Sequence, residues 1–356
     1  MNPEAERLAS RIADATVAVH DVLTIYLGER LGLYEALAAQ GAARPPELAA
    51  RTGTHARYVR EWLEQQAAAG ILGCEDPGAP ADERRFYLPA AAAEVLTERE
   101  SLLWSAARPR SLVALAQKLP ALLEAFRTGE GIPDGTDDAR TAQADLGRAA
   151  FLRLLSTEWI PRITDVDTRL RSGPPARVLD VGCGAGWASI ALAEGYPLVH
   201  VDGLDFDPMS VEIARGNARA HGVGSRVVFH AADAASPELP GGYDLVVAFE
   251  SLHDMPRPVE ALAAMRRLAA PSGTVLVVEE KVAEAFSLPA SPNDRVNYGW
   301  SVLTCLPSAM CGSGAAGTGT LLRRDTLLAY ARAAGFSSLE DTGVPHDAWT
   351  FWRLRA

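Results

Sequence analysis

The chain has 356 residues, 48% of them hydrophobic and 22% charged, with a net charge of −11. That length suggests two domains, and the mix is that of a protein with a packed core. The acid excess argues against a nucleic-acid or anionic-membrane surface, since both demand positive charge. The polar start Met1–Ser10 lacks the charged-then-apolar order of a secretory signal, and no stretch approaches the roughly 18 unbroken apolar residues of a membrane span. The four cysteines Cys74, Cys183, Cys305 and Cys311 form neither a CxxC pair nor a Cys/His ligand set. This points to reduced thiols in a cytoplasmic protein, away from a disulfide framework or a structural metal.

From Glu4 to about Leu170 apolar residues recur three and four apart, the period of helices. Pro46–Gly53 reads as a short helix ended by glycine. Thr54 is expected to cap a second helix, Arg57 to Ala69, closed by Gly70. Ile71-Leu72 and Phe86-Tyr87-Leu88, joined by a Pro/Gly/Asp-rich loop, then read as the strands of a wing. The whole is a winged helix-turn-helix over residues 1–95. Such a module can place its second helix on DNA, but here Arg57 and Arg60 face Glu61 and Glu64, so that helix carries no net charge. A dimerisation or packing role is the better reading. Residues 96–172 are a helical linker; its loop Gly129–Asp138 reads equally as a substrate lid or a plain connector.

Ser172-Gly173-Pro174-Pro175 forms a joint, beyond which short Val/Leu-rich strands alternate with helical stretches, the pattern of a parallel α/β sheet over residues 173–356. Arg177–Val181 is a strand running into Gly182-Cys183-Gly184-Ala185-Gly186, with a helix from about Trp187. Glycines allow a sharp turn and a close approach of backbone to ligand, while the helix start offers free N–H groups to a carboxylate. The spacing G-x-G-x-G departs from the dinucleotide fingerprint. Leu198–Leu204 is the next strand and ends at Asp205, placed to accept from both ribose hydroxyls of an adenosyl group. Arg226–His230 follows and leads to Ala231-Ala232-Asp233, where Asp233 can receive an adenine amino group. These ends fall in one crevice, the expected ligand position in an open α/β sheet.

A fourth strand, Tyr243–Phe249, runs into Glu250-Ser251-Leu252-His253-Asp254-Met255. Pro258–Leu268 is the helix behind it, and Gly273–Val278 a fifth strand ending at Glu279-Glu280. His253 projects just past strand four, where a neutral imidazole can take a proton from a hydroxyl; it reads otherwise as a structural histidine. Asp294–Leu306 is a helical insertion carrying Tyr298 and Trp300, followed by a Gly-rich run (Cys311–Gly319), a helix Asp325–Ala334 and a last strand Trp349–Arg355. Its aromatics read either as an acceptor pocket or as core.

Residues 176–280, and more loosely 320–356, resemble the class I S-adenosylmethionine (SAM)-dependent methyltransferases, whose Rossmann-like, doubly wound sheet has seven strands. Leu252-His253-Asp254 resembles the His-Asp-Trp step of the winged-helix small-molecule O-methyltransferases, and Arg57–Leu63 their actinobacterial-type winged helix. Met255 stands where that family carries tryptophan. The resemblance implies SAM as cofactor and S-adenosylhomocysteine as product, without a metal, bound by Asp180, Gly182, Gly184, Gly186, Asp205, Phe206, Ala232, Asp233, Ala234 and Phe249. It implies His253 as general base, oriented by an acid among Glu250, Glu279 and Glu280, with Glu250, Tyr298 and Trp300 in the acceptor pocket. It implies a homodimer acting on a small-molecule hydroxyl. The alternatives are nitrogen or carbon acceptors, or a winged-helix regulator that senses SAM.

Overall fold

The computed structural model describes residues 2–133 and 137–356, so the expected loop Gly129–Asp138 lies partly outside the described residues. Two compact units emerge, Met1–Ala116 and Gln117–Ala356.

The first unit starts with α1 (Pro3–Arg30), capped by the Asn2 side chain with proline in its first turn. The short helices α2 (Leu33–Gln40) and α3 (Pro45–Thr52) and the longer α4 (Ala56–Ala68) follow. The wing is β1 (Gly73–Cys74) paired antiparallel with β2 (Phe86–Tyr87), and α5 (Ala90–Leu96) follows it. Leu33, Tyr34, Leu48, Val59, Trp62, Leu63, Leu72 and Phe86 form one core. Two expectations need correction. The cap of α4 is His55, whose ring accepts from the Arg57 N–H, and not Thr54. The first wing strand starts two residues later than expected, because the Ile71 and Leu72 N–H groups close the helix on the Gln66 carbonyl and Leu72 is buried in the core. Arg57 pairs with Glu61 at 2.5 Å on α4, whereas Arg60 reaches Asp82 of the wing loop.

The long helix α6 (Ala107–Thr128) leads to α7 (Asp137–Leu154), a π-helical turn (Leu155–Trp159) and α8 (Thr164–Arg171). The sheet then builds in βα steps: β3 (Arg177–Val181), α9 (Trp187–Gly195), β4 (His200–Asp205), α10 (Pro208–Ala220), β5 (Val227–Ala231), β6 (Tyr243–Phe249), α11 (Pro258–Leu268) and β7 (Ala269–Glu280). An insertion, α12 (Pro292–Trp300) and α13 (Leu306–Ala309), precedes α14 (Arg324–Ala333), β8 (Ser338–Asp341) and β9 (Trp349–Arg355). The insertion was expected as one helix, Asp294–Leu306; it starts at Pro292, and a π-helical turn over Ser301–Cys305 separates its parts.

Strand order is β5-β4-β3-β6-β7-β9-β8, parallel throughout except β9, which runs antiparallel to β7 and β8. The order reverses between β3 and β6, both central strands, so their carboxyl ends open a crevice. Side chains alternate across the sheet. Val178, Leu245, Val247, Leu276 and Val278 pack on the α8–α9–α10 side, while Leu179, Val181, Val246, Ala248, Val275 and Val277 pack on the α11–α14 side. Both faces being covered, the strands read as near-continuous apolar runs. No described helix is long and apolar enough to cross a membrane.

Candidate functional site

At the end of β3 the chain turns through Gly182, Gly184 and Gly186, all with left-handed φ (74°, 51° and 81°). Their roles differ. A Cβ on Gly182 would lie 2.5 Å from the Ser251 Cβ, and one on Gly186 2.6 Å from the Phe229 ring. These two glycines therefore let protein pack on protein. A Cβ on Gly184 would meet nothing within 4 Å, so Gly184 faces open space. Beneath the loop Asp180 is buried, accepts from the Ser189 hydroxyl of α9 at 2.7 Å, and is pushed up to about 6 by that burial. Asp180 thus pins α9 to β3 from below.

Asp205, at the end of β4, accepts from the Gly184 N–H and the Asp207 N–H, both at 2.9 Å. Burial holds its carboxyl above the usual range. Asp207 caps α10 and pairs with Arg140 of α7 at 2.6 Å, an ion pair that the sequence did not reveal because 67 residues separate the partners. Phe206 is 74% exposed and belongs to no core cluster. Asp233, past β5, pairs with Arg257 and accepts from the Ala235 N–H at 2.8 Å. Ala232 and Ala234 flank it against the α11-side core. Phe249 is buried edge-on to Phe151 of α7 (5.3 Å between ring centres).

Past β6 a single helical turn, Leu252–Asp254, carries His253, which is 2% exposed. Its Nδ1 lies 2.5 Å from Glu279 and 3.3 Å from Glu280, and its Nε2 3.5 Å from Asp254. Glu279, 1% exposed, also accepts from the Leu252 N–H at 3.0 Å. It therefore holds both the backbone and the ring of the histidine turn. The Cys305 thiol hydrogen-bonds to the imidazole and is pushed up to about 11 by burial. Burial opposes the charged imidazole, but Glu280, Glu279 and Asp254 outweigh it and raise the pKa well above the ordinary histidine value. The ligand atoms of His253, Glu279 and Glu280 lie within 4.8 Å of one another, yet the 2.5 Å contact is a hydrogen-bond distance, too short for an ion coordinated by both atoms at about 2.0–2.2 Å each.

Glu250 directly follows β6 with φ 46°, a left-handed conformation unusual for a side-chain-bearing residue. Burial pushes its carboxyl up to about 7, although the Trp349 indole donates to it. Tyr298 accepts from Arg323 at 3.1 Å and packs edge-on to Phe286; Trp300 is half-buried at the end of α12. Glycine spacing, strand ends and His253 were legible in the chain. Cys305 was missed as a neighbour of His253, since no local pattern links residues so far apart.

Residues 173–318 match the model of a methyltransferase domain, and residues 19–98 that of the Rv2258c-like winged HTH domain. Ajmaline N-methyltransferase of Rauvolfia serpentina is 29% identical over 175 residues, 46% of this chain and 59% of that protein. This chain thus spans less than two thirds of that relative's length. Among solved structures, mitomycin 7-O-methyltransferase superposes with a TM-score of 0.71 at 20% identity, covering 99% of this chain and 100% of the other. Human N-acetylserotonin methyltransferase, in complex with SAM, superposes with a TM-score of 0.69 at 18% identity, covering 100% of this chain and 98% of the other. At such identities the likeness is one of fold. Residues 173–318 thus match a methyltransferase domain and residues 19–98 an Rv2258c-like winged helix-turn-helix domain, in a chain that shares the fold of solved methyltransferase structures.

Proposed function

We propose that this protein is a SAM-dependent methyltransferase acting on the hydroxyl of a small molecule, with His253 as general base. The reading rests on the His253–Glu279 pair, a buried imidazole fixed at 2.5 Å beside the crevice of a methyltransferase-type sheet. Gly184 supplies a cradle that any Cβ would fill, Asp205 accepts from ribose hydroxyls, and Asp233 and Ala232–Ala234 flank the adenine. SAM, when bound, supplies an electrophilic methyl on a sulfonium. The chain's own residues position and deprotonate the acceptor. Glu279 fixes the ring through Nδ1, leaving Nε2 of the neutral imidazole to take the hydroxyl proton. Positioning alone is worth roughly 7–11 kcal/mol of barrier, and base assistance a further two to four orders of magnitude.

The test is a library of weakly acidic phenols and alcohols scored for S-adenosylhomocysteine release by wild type and His253→Ala. Loss of about a hundredfold or more with unchanged SAM affinity supports the base. If the variant keeps more than about a third of turnover, His253 is structural and the acceptor is nitrogen or carbon.

A homodimer built through the winged-helix unit belongs to the same proposal. Residues 3–20 of α1 are exposed throughout, yet the helix carries Leu8, Ile12, Val19, Leu23 and Leu27 at 43–60% exposure. Such a stripe at helical spacing suits a second copy of the chain better than water. The neutral face of α4, with Arg57 and Arg60 both ion-paired, offers nothing for a phosphate backbone.

A further inference from the structure

We infer that Arg140 is a positioning residue for the cofactor, acting from α7 through Asp207 on the carboxylate of Asp205. The inference rests on the methyltransferase reading, in which Asp205 accepts from the ribose hydroxyls. It extends the cofactor site beyond residues 173–318, into a helix that precedes the matched domain. Each oxygen of Asp205 already holds one backbone donor: Oδ2 accepts from the Gly184 N–H and Oδ1 from the Asp207 N–H, both at 2.9 Å. A carboxylate offers about four lone-pair positions, so both oxygens can still accept from a ligand, in directions that these two donors set. The Gly184 donor is placed by the glycine turn. The Asp207 donor is only as fixed as Asp207 itself.

Asp207 is fastened from two sides. Its side chain caps α10, accepting from the Ser210 hydroxyl at 2.7 Å and from the Ser210 N–H at 3.1 Å. From the other side Arg140 sets the edge of its guanidinium on the same carboxylate, with Nε 2.6 Å from Oδ2 and Nη2 3.5 Å from Oδ1. A two-point fork of this kind fixes direction as well as distance. The two side chains are 16% and 19% exposed, so water and salt screen the pair less than one on the open surface. Burial works against the Asp207 charge, but Ser210 and Arg140 outweigh it and hold the carboxyl below its usual range. The N–H that orients Asp205 therefore belongs to a residue locked to α7. Further along that helix, Arg148 stands 4.9 Å over the ring of Trp187, the first residue of α9, and Phe151 packs edge-on to Phe249 at the end of β6. Releasing Arg140 leaves these contacts in place and loosens only the turn after β4, so the loss falls on the preorganised cofactor site before it falls on the fold.

The test is a calorimetric titration of the full chain with S-adenosylhomocysteine, for wild type, Arg140→Gln, Asp207→Asn and the double variant, with thermal melting of each. Asparagine keeps the α10 cap but drops the charge that Arg140 grips. If wild type does not bind, the methyltransferase reading falls and this inference falls with it. With wild-type binding intact, each single variant is expected to bind about tenfold more weakly and the double variant no more weakly than either, as for two groups that act as one unit. Arg140→Lys, which returns the charge without the fork, should recover most of the affinity. Wild-type affinity in Arg140→Gln, even with a lowered melting temperature, overturns the inference and leaves the methyltransferase reading standing. So do losses that multiply in the double variant, since they would put Arg140 and Asp207 on separate paths to the cofactor. Should Arg140→Gln fail to fold, Asp207→Asn decides alone: a tenfold loss upholds the inference and wild-type affinity overturns it.

Discussion

Gly184→Ala separates cofactor binding from folding better than any other change in the glycine turn. The new methyl meets no protein atom within 4 Å, so the fold bears only the strain of a left-handed alanine at φ 51°, about 1–2 kcal/mol. For a unit of this size that lowers Tm by roughly 2–8 °C, at about 2–4 °C per kcal/mol. The methyl does, however, occupy the crevice where the cofactor would approach the backbone. Overpacking of one methyl typically costs about 1–3 kcal/mol, which weakens S-adenosylhomocysteine binding by roughly 5- to 150-fold. Gly186→Ala behaves differently. Its Cβ would lie 2.6 Å from the Phe229 ring and 3.0 Å from Ala214, both buried, so overpacking adds to strain and the fold loses about 2–5 kcal/mol. Calorimetric titration and thermal melting of both variants decide the matter. Wild-type S-adenosylhomocysteine affinity in Gly184→Ala would refute the placement of the cofactor on this turn.

Four further outcomes are expected. Asp205→Ala removes a charged acceptor at the end of β4 and should weaken S-adenosylhomocysteine binding by about 1.5–3 kcal/mol; an unchanged isotherm counts against a ribose role. Since only the neutral imidazole accepts a proton and the surrounding carboxylates raise His253, turnover should rise with pH through a midpoint above the ordinary histidine range and fail on the acid side. Glu279→Gln should move that midpoint down and cut maximal turnover by roughly 10- to 150-fold, the worth of a hydrogen bond to a charged group; a pH profile identical to wild type would show that Glu279 does not act through His253. Removing residues 2–20 takes away Leu8, Ile12 and Val19 of the exposed α1 stripe and should convert a dimer into a monomer by light scattering, whereas a full-length monomer would sink the dimer proposal.

Strands and helices of the second unit were legible because each is coded locally. Tyr243–Phe249 and Pro258–Leu268 were bounded from apolar runs, prolines and turn residues alone, and the structure gives the same limits. The glycine turn and Asp205 were legible too, since a strand end followed by glycine or acid is a short-range pattern. Cap and register were harder. His55 displaced Thr54, and the wing strand slid to Gly73, because competing donors and acceptors a residue or two apart are separated only by packing.

What the chain alone determined is therefore the order of elements and the chemistry available at each strand end. What the tertiary structure decided is which of those groups meet. Glu279 and His253 are 26 residues apart and Cys305 comes from a separate insertion, yet they share one buried site. Only their meeting raises the pKa of that histidine above its ordinary value, because the energy of a charge depends on its neighbours and on excluded water rather than on sequence. The same holds for the three glycines, identical in the chain, of which only Gly184 leaves room for a side chain.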